Sequence, residues 1–244
     1  MALCEAIGPT RRLGGVVALQ DVTFSLEGST IVAIIGPNGS GKTTLFNLLA
    51  GQIRPTAGAV LWRGGDITAW PPHRRCRAGI NRTFQVAQPF LELTLAENVA
   101  VGRLYGTRDA IARRRPDALD QARELLEEVG LDAKAASTAR TLSLGELKRL
   151  ELAMAQSTRP DLLLVDEVLA GQSPSSAQAI LGYLGRLRSR GVSICLIEHR
   201  LKALLAVADR VVALHQGRII ADGKPEAVMK SPAVLDAYLG EPAT

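Results

Sequence analysis

The run Gly36-Pro37-Asn38-Gly39-Ser40-Gly41-Lys42-Thr43-Thr44 sets three glycines, a lysine and adjacent hydroxyls in the spacing G-x-x-x-x-G-K-[ST]. Residues of these types in this order can hold phosphate. The glycines let the backbone turn so that its N–H groups converge on phosphate oxygens. A helix starting at the end of the run adds its dipole. Lys42 would put a positive charge on the β- and γ-phosphates, and the Thr43 hydroxyl can ligate Mg²⁺. A second run, Leu162-Leu163-Leu164-Val165-Asp166-Glu167, closes four hydrophobes with two acids. A phosphate site needs a carboxylate for Mg²⁺, and hydrolysis needs a group that orients or deprotonates water. Asp166 suits the first role and Glu167 the second. His199 follows a further apolar run and could contact a γ-phosphate or the attacking water, or be a surface histidine at a strand end.

These groups can meet only if particular elements carry them. Ile31-Val32-Ala33-Ile34-Ile35 reads as a buried strand leading into the glycine loop. The stretch from Thr44 to Ala50 reads as the helix leaving it, with Gly51 as a C-terminal stop. Strand, glycine loop and helix together are the setting that such a loop requires. Residues 162–165 and 193–197 read as further buried strands, and the C-terminal ends of such strands are where α/β proteins keep their sites.

The remaining stretches are expected to frame this core. Residues 16–19, 22–26 and 59–62 read as short strands of a small antiparallel sheet. From Gln85 to Ser157 the pattern is mostly helical. Thr94 and Glu97 have the spacing of a capping box, and Leu119, Ala122, Leu125, Leu126 and Val129 share a helical face that stops at Gly130. Ser143 stands as the N-cap of a helix running through 147–155. Pro174 opens a helix ended by Gly191, Gln216-Gly217 turns a hairpin, and residues 225–239 form a last helical stretch.

Composition bounds the rest. The 244 residues, 47% hydrophobic and 22% charged, suit one large domain or one domain with subdomains. No apolar run is long enough to span a membrane, and the N-terminus lacks a signal-peptide pattern, so a cytoplasmic location is expected, with membrane association through a partner. Cys4, Cys76 and Cys195 are too far apart for a disulfide framework or a zinc site. The net charge is +5, and basic clusters fall at Arg74-Arg75 with Arg77 and at Arg113-Arg114-Arg115. No aromatic residues are interleaved for base stacking, so these read as solvated surface rather than as a nucleic-acid site. His73 and His215 read as structural.

As a set, the phosphate loop, Gln85, Leu142-Ser143-Leu144-Gly145-Glu146, Asp166-Glu167 and His199 resemble the ATP-binding cassette family in order and rough spacing, from about Leu13 to Glu241. Within it, Arg82-Thr83-Phe84-Gln85, Leu142 to Glu151, Ile197-Glu198-His199 and Ala237-Tyr238-Leu239-Gly240-Glu241 look most like the ATP-binding subunits of branched-chain amino acid importers. The resemblance implies an α/β fold: a P-loop NTPase core with an antiparallel β subdomain and an inserted α-helical subdomain. The divisions would fall at 1–84, 85–157 and 158–244. It implies ATP and Mg²⁺ as ligands and ATP hydrolysis coupled to transport, with Glu167, His199 and Gln85 catalytic.

By the same resemblance Gly36 to Thr44 bind nucleotide, and Thr43, Gln85 and Asp166 hold the metal. Ser143, Leu144, Gly145 and Glu146 face the ATP of a second cassette, identical or paralogous. Permease subunits are the membrane partners, docking near Ala87 to Asn98, with Phe90, Leu91 and Leu93 in or near the groove. The subunit would lie on the cytoplasmic face of the membrane, with no nucleic acid as partner. Urea or amide import, lipid export and a soluble ATPase of this family are the other readings. The sequence departs from the family's pattern in places. Leu13 stands where an aromatic usually stacks on adenine, leaving Leu13 and Val17 as aliphatic contacts. Leu144 and Glu146 replace Gly and Gln, Val168 stands where Pro often does, and Gly171-Gln172-Ser173 lacks the usual final Asp or Asn.

Overall fold

The structure is a computed structural model that describes residues 2–84, 88–106, 115–198 and 200–239. Along the chain the described elements begin with β1 (Cys4–Leu13), β2 (Val16–Leu19), β3 (Phe24–Leu26), β4 (Ile31–Ile35), α1 (Lys42–Leu49), β5 (Ala57–Trp62) and β6 (Gly65–Asp66). They continue with α2 (Pro72–Arg77), β7 (Ile80–Arg82), α3 (Leu95–Tyr105), α4 (Arg115–Glu128), α5 (Leu144–Ser157), β8 (Leu162–Asp166) and α6 (Pro174–Ser189). The last are β9 (Ser193–Ile197), α7 (Leu201–Leu205), β10 (Arg210–His215), β11 (Arg218–Gly223), α8 (Pro225–Met229) and α9 (Pro232–Leu239). The chain divides into two compact units, Met1–Pro72 with Ser193–Thr244, and His73–Val192.

The first unit holds two groups of strands. One is antiparallel, in the order β2-β1-β5-β6, with β3 also paired to β1. In the other, β4 lies between β9 and β10, parallel to both, and β11 pairs antiparallel with β10. All five residues of β4 and of β9 are buried, as expected of strands covered on both faces. The second unit pairs β7 with β8 in parallel and packs α3, α4 and α5 against one another through Leu95, Val99, Ala122, Leu126 and Leu150, all buried.

Local signals place the helix starts. Thr94 accepts the Glu97 N–H while the Glu97 carboxylate accepts the Thr94 N–H, closing the expected capping box on α3. Ser143 and Glu146 close the same box on α5, and Ser173 with Pro174 opens α6. The structure corrects three readings. The N-terminal strand begins at Cys4, not Val16: Gly8-Pro9 interrupts the sequence pattern, but pairing to β2, β3 and β5 carries the strand across it, with a register shift between Ile7 and Thr10. The final helical stretch is two helices, parted at Ser231-Pro232, where the proline has no N–H to continue the first. Arg75 is only 1% exposed, so the first basic cluster is not simply solvated surface.

Candidate functional site

In the first unit the glycine loop joins the end of β4 to α1, and two of its glycines are forced by geometry. Gly36 has φ 146°, and a Cβ there would lie 2.1 Å from the Leu214 carbonyl oxygen. Gly41 has φ 106°, and its Cβ would lie 2.6 Å from the Ala18 carbonyl oxygen. Gly41 is also the N-cap of α1 and has no side chain to offer the first-turn N–H groups, and that turn contains no acid. A helix N-terminus left in this state favours an anion.

Lys42 is buried, and its Nζ donates to the Gly36 carbonyl at 2.6 Å and the Pro37 carbonyl at 2.8 Å. The ammonium is thus folded back over the loop whose N–H groups would face phosphate. Thr43 is exposed and Thr44 half-buried at the start of α1. Two contacts were not foreseen. The Gly36 N–H donates to the Tyr238 hydroxyl of α9 at 2.9 Å. His215, at the end of β10, lines a cavity of about 290 Å³ together with residues 37–40 and Asp236. The Ala237-Tyr238 phrase was the only sequence signal pointing to the first, and none pointed to the second.

Leu13 and Val16 pair across the β1–β2 hairpin and are exposed, at 48% and 68%. Val17, half-buried, pairs with Arg12 on the opposite face. Val16, rather than Val17, is therefore the neighbour of Leu13 on its face.

The second unit holds the acids and the α5 N-terminus. Asp166 ends β8 and is 2% exposed. Its N–H donates to the Thr83 hydroxyl at 2.9 Å, and its carboxylate accepts from the Arg82 guanidinium at 3.1 Å. Burial pulls the Arg82 guanidinium below its ordinary value, while Asp166 and Glu151 favour its charge. Glu167 is half-buried and has φ 49°, a left-handed conformation that costs a non-glycine residue about 1 kcal/mol and often marks a working position.

At the N-terminus of α5, Ser143 and Leu144 are exposed. Glu146 is held well below the usual carboxylate range, at about 2, first by the Lys134 ammonium at 2.6 Å and then by the Ser143 N–H. Where the family usually has Gln, this chain has an ionised capping group. Gln172 donates to the Gly145 carbonyl at 2.8 Å, and Gly171 lies against Leu144, so the loop after β8 is fastened to the start of α5. Ser173 serves as N-cap of α6. A groove of about 270 Å³ in this unit is lined by Phe84, Gln88, Pro89, Leu147 and Glu151 among others. Phe90 and Leu91 are exposed and Leu93 is half-buried. Gln85 and His199 lie outside the described residues, as do Val86, Ala87, Arg113 and Arg114. Among the described residues no three His, Cys, Asp or Glu side chains converge as a metal cluster.

A family model described as ABC transporter matches residues 19–170. The chain belongs to the ABC transporter family. A second model, described as branched-chain amino acid ATP-binding cassette transporter, matches residues 218–244. The chain is 38% identical to the high-affinity branched-chain amino acid transport ATP-binding protein BraF of Pseudomonas aeruginosa, over 98% of each. It is 36% identical to LivG of Escherichia coli, again over 98% of each. Among solved structures it is similar to a nucleotide-free ATP-binding cassette from an ABC transporter, with TM-score 0.90 and 30% identity over 99% of this chain and all of that one. It is likewise similar to the ADP conformation of an ABC-transporter cassette, with TM-score 0.88 and 31% identity over the same shares. Both solved relatives support the expected fold, a P-loop core with β and helical subdomains.

Proposed function

We propose that this chain is the ATP-hydrolysing subunit of an importer for branched-chain amino acids, one of two cassettes that work beneath membrane permease subunits. The observation that carries this is likeness along the whole length to branched-chain amino acid ATP-binding proteins, including the stretch 218–244 beyond the general cassette match.

The residues fit the nucleotide. The open α1 N-terminus, the close-packed glycines and the Lys42 ammonium supply donors for phosphate, and the lysine can exchange the loop carbonyls of Gly36 and Pro37 for phosphate oxygens. Thr43 and Asp166 offer the hard oxygen ligands that Mg²⁺ prefers, two protein groups beside phosphate and water, with Gln85 as the third. The ion would neutralise charge on the β- and γ-oxygens. Glu167 orients or deprotonates the attacking water, and Gln85 and His199 contact the γ-phosphate. Asn38, Gly39 and Ser40 wrap the phosphates with the rest of the loop, while Leu13 and its neighbours give the base aliphatic contact. Ser143, Leu144, Gly145 and Glu146 present the α5 N-terminus to the ATP of a second cassette, whether a second copy or a paralogue.

ATP binds the closed pair better than ADP does, and this difference biases the permease. No described helix is long and apolar enough to cross a membrane, which fits a subunit held at the cytoplasmic face by its permease. Phe84, which lines the groove, and the exposed Phe90 and Leu91 are the apolar surface offered to a permease segment. The test is purification of this chain from its native membranes with identification of the copurifying proteins. A multi-span permease together with an amino-acid-binding protein is expected. A urea, amide or lipid system would overturn the cargo, and ribosomal or nucleic-acid partners would overturn the transport role.

A further inference from the structure

Two charged residues of α5, Lys148 and Glu151, have been given no part in binding nucleotide or in its hydrolysis. They are 2% and 7% exposed and stand one helical turn apart on one face. Burying a lysine and a glutamate is costly, and a well-packed apolar pair would usually serve stability better. Nor are they engaged chiefly with each other, since Lys148 Nζ lies 3.8 Å from Glu151 Oε2. Each instead grips the backbone of one residue 64 and 67 positions away: Lys148 Nζ donates to the Phe84 carbonyl at 2.9 Å, and the Phe84 N–H donates to Glu151 Oε1.

Lys148 holds the carbonyl of Phe84 and Glu151 its N–H, so the backbone of this residue is held on both of its sides. The preceding residues are tied as well. Arg82 Nε donates to the Thr83 carbonyl at 3.0 Å, its Nη2 reaches Asp166, and its guanidinium lies 4.9 Å from the centre of the Phe84 ring. Residues 82–84 therefore bridge the α5 helix, whose N-cap is Ser143, and the carboxylate at the end of β8. Phe84 and Glu151 also form part of the groove wall, so a segment seated there would bear on the clamped residue.

We propose that Lys148 and Glu151 are positioning residues: a two-armed clamp on the backbone of Phe84 that holds residue 84 in register with the Ser143 end of α5. The proposal rests on the role given above to Gln85. The full-length chain should be compared with Lys148→Met and Glu151→Met, which keep the bulk and lose the arms, and with Lys148→Arg and Glu151→Gln, which keep a donor and an acceptor. Each Met variant should lose about tenfold or more in kcat for ATP hydrolysis, with KM for ATP within about twofold, because the ATP-binding loop is untouched. Lys148→Arg and Glu151→Gln should recover turnover to within about threefold of the parent. Deuterium exchange at the Phe84 amide should quicken about tenfold or more in Glu151→Met and not in Glu151→Gln.

Unchanged exchange at Phe84 in Glu151→Met would overturn the clamp. Full turnover in both Met variants, with Gln85→Ala inactive, would overturn its positioning role. Loss of turnover and thermal stability together, with no recovery in the Arg and Gln variants, would reduce the pair to core packing. Full turnover in Gln85→Ala would overturn the role of Gln85 instead, and the exchange measurement would still report the clamp by itself.

Discussion

The clamp has a thermodynamic signature that can be read without any nucleotide. Glu151 is buried, and burial is the largest influence on its carboxyl, pushing it from the ordinary 4.5 up to about 7 despite the Phe84 N–H, Lys148 and Arg82, which favour the charge. Between these values the unfolded chain gives up the Glu151 proton while the folded chain keeps it. The folded state therefore loses stability as pH rises from 4.5 and reaches a constant penalty above about 7. Each tenfold in proton affinity is about 1.36 kcal/mol, so the full penalty is on the order of 3 kcal/mol. Glu151→Gln removes the titration and keeps an acceptor for the Phe84 N–H. The variant's advantage over the parent should grow from about 1 kcal/mol near about pH 5.5 to about 3 kcal/mol near about pH 8.5. Urea unfolding followed by circular dichroism at several pH values reads the difference directly. The slope carries the argument, because any fixed cost of leaving Lys148 beside a neutral amide shifts both points equally. A difference that is flat with pH, or that falls as pH rises, would show that the carboxyl is already ionised at little cost and that the burial argument is wrong.

Three further outcomes follow from the site. Lys42→Ala removes a charge-assisted donor to phosphate and should weaken ATP binding by about tenfold to a hundredfold; calorimetric titration with unchanged affinity would refute the loop assignment. Glu167→Gln should keep ATP binding and accumulate an ATP-bound dimer on size-exclusion chromatography, and undiminished turnover in that variant would remove Glu167 from the chemistry. Tyr238→Phe deletes the acceptor for the Gly36 N–H at a partly exposed position where water can replace it, so ATP affinity should drop only about twofold to fivefold. A loss as large as that of Lys42→Ala would mean that α9 shapes the loop rather than steadying it.

What could be read from the sequence was local. The glycine loop, the acids closing a four-hydrophobe strand and both capping boxes are carried by residues within a few positions of each other, and the structure places them on the expected elements. What could not be read depends on partners far along the chain. β1 looks broken at Gly8-Pro9, and only its pairing with strands on either side makes it one strand. Tyr238 meets Gly36 across 202 positions, and Gln172 meets Gly145 across 27. The departures from the family's pattern take on meaning in the same way. Glu146 in place of Gln is half of a capping box anchored by Lys134, and Ser173 in place of Asp or Asn still caps α6. Both substitutions keep a local function that their residue types can perform, which is why the fold tolerates them.

Lys148 and Glu151 show the limit of reading by periodicity. On the α5 pattern they interrupt an apolar face, and a sequence argument has no reason to bury them. Their burial makes sense only with Phe84 in view, because a chain entering a site at that point has two backbone groups that no strand or helix satisfies, and a buried backbone group without a partner costs about as much as a lost hydrogen bond. A charged pair is an expensive way to satisfy them if stability is the only need. It is a reasonable way if residue 84 must be held in one place beyond the end of β7 at Arg82, where the ladder no longer reaches. The conservative and apolar variants at these two positions separate these possibilities.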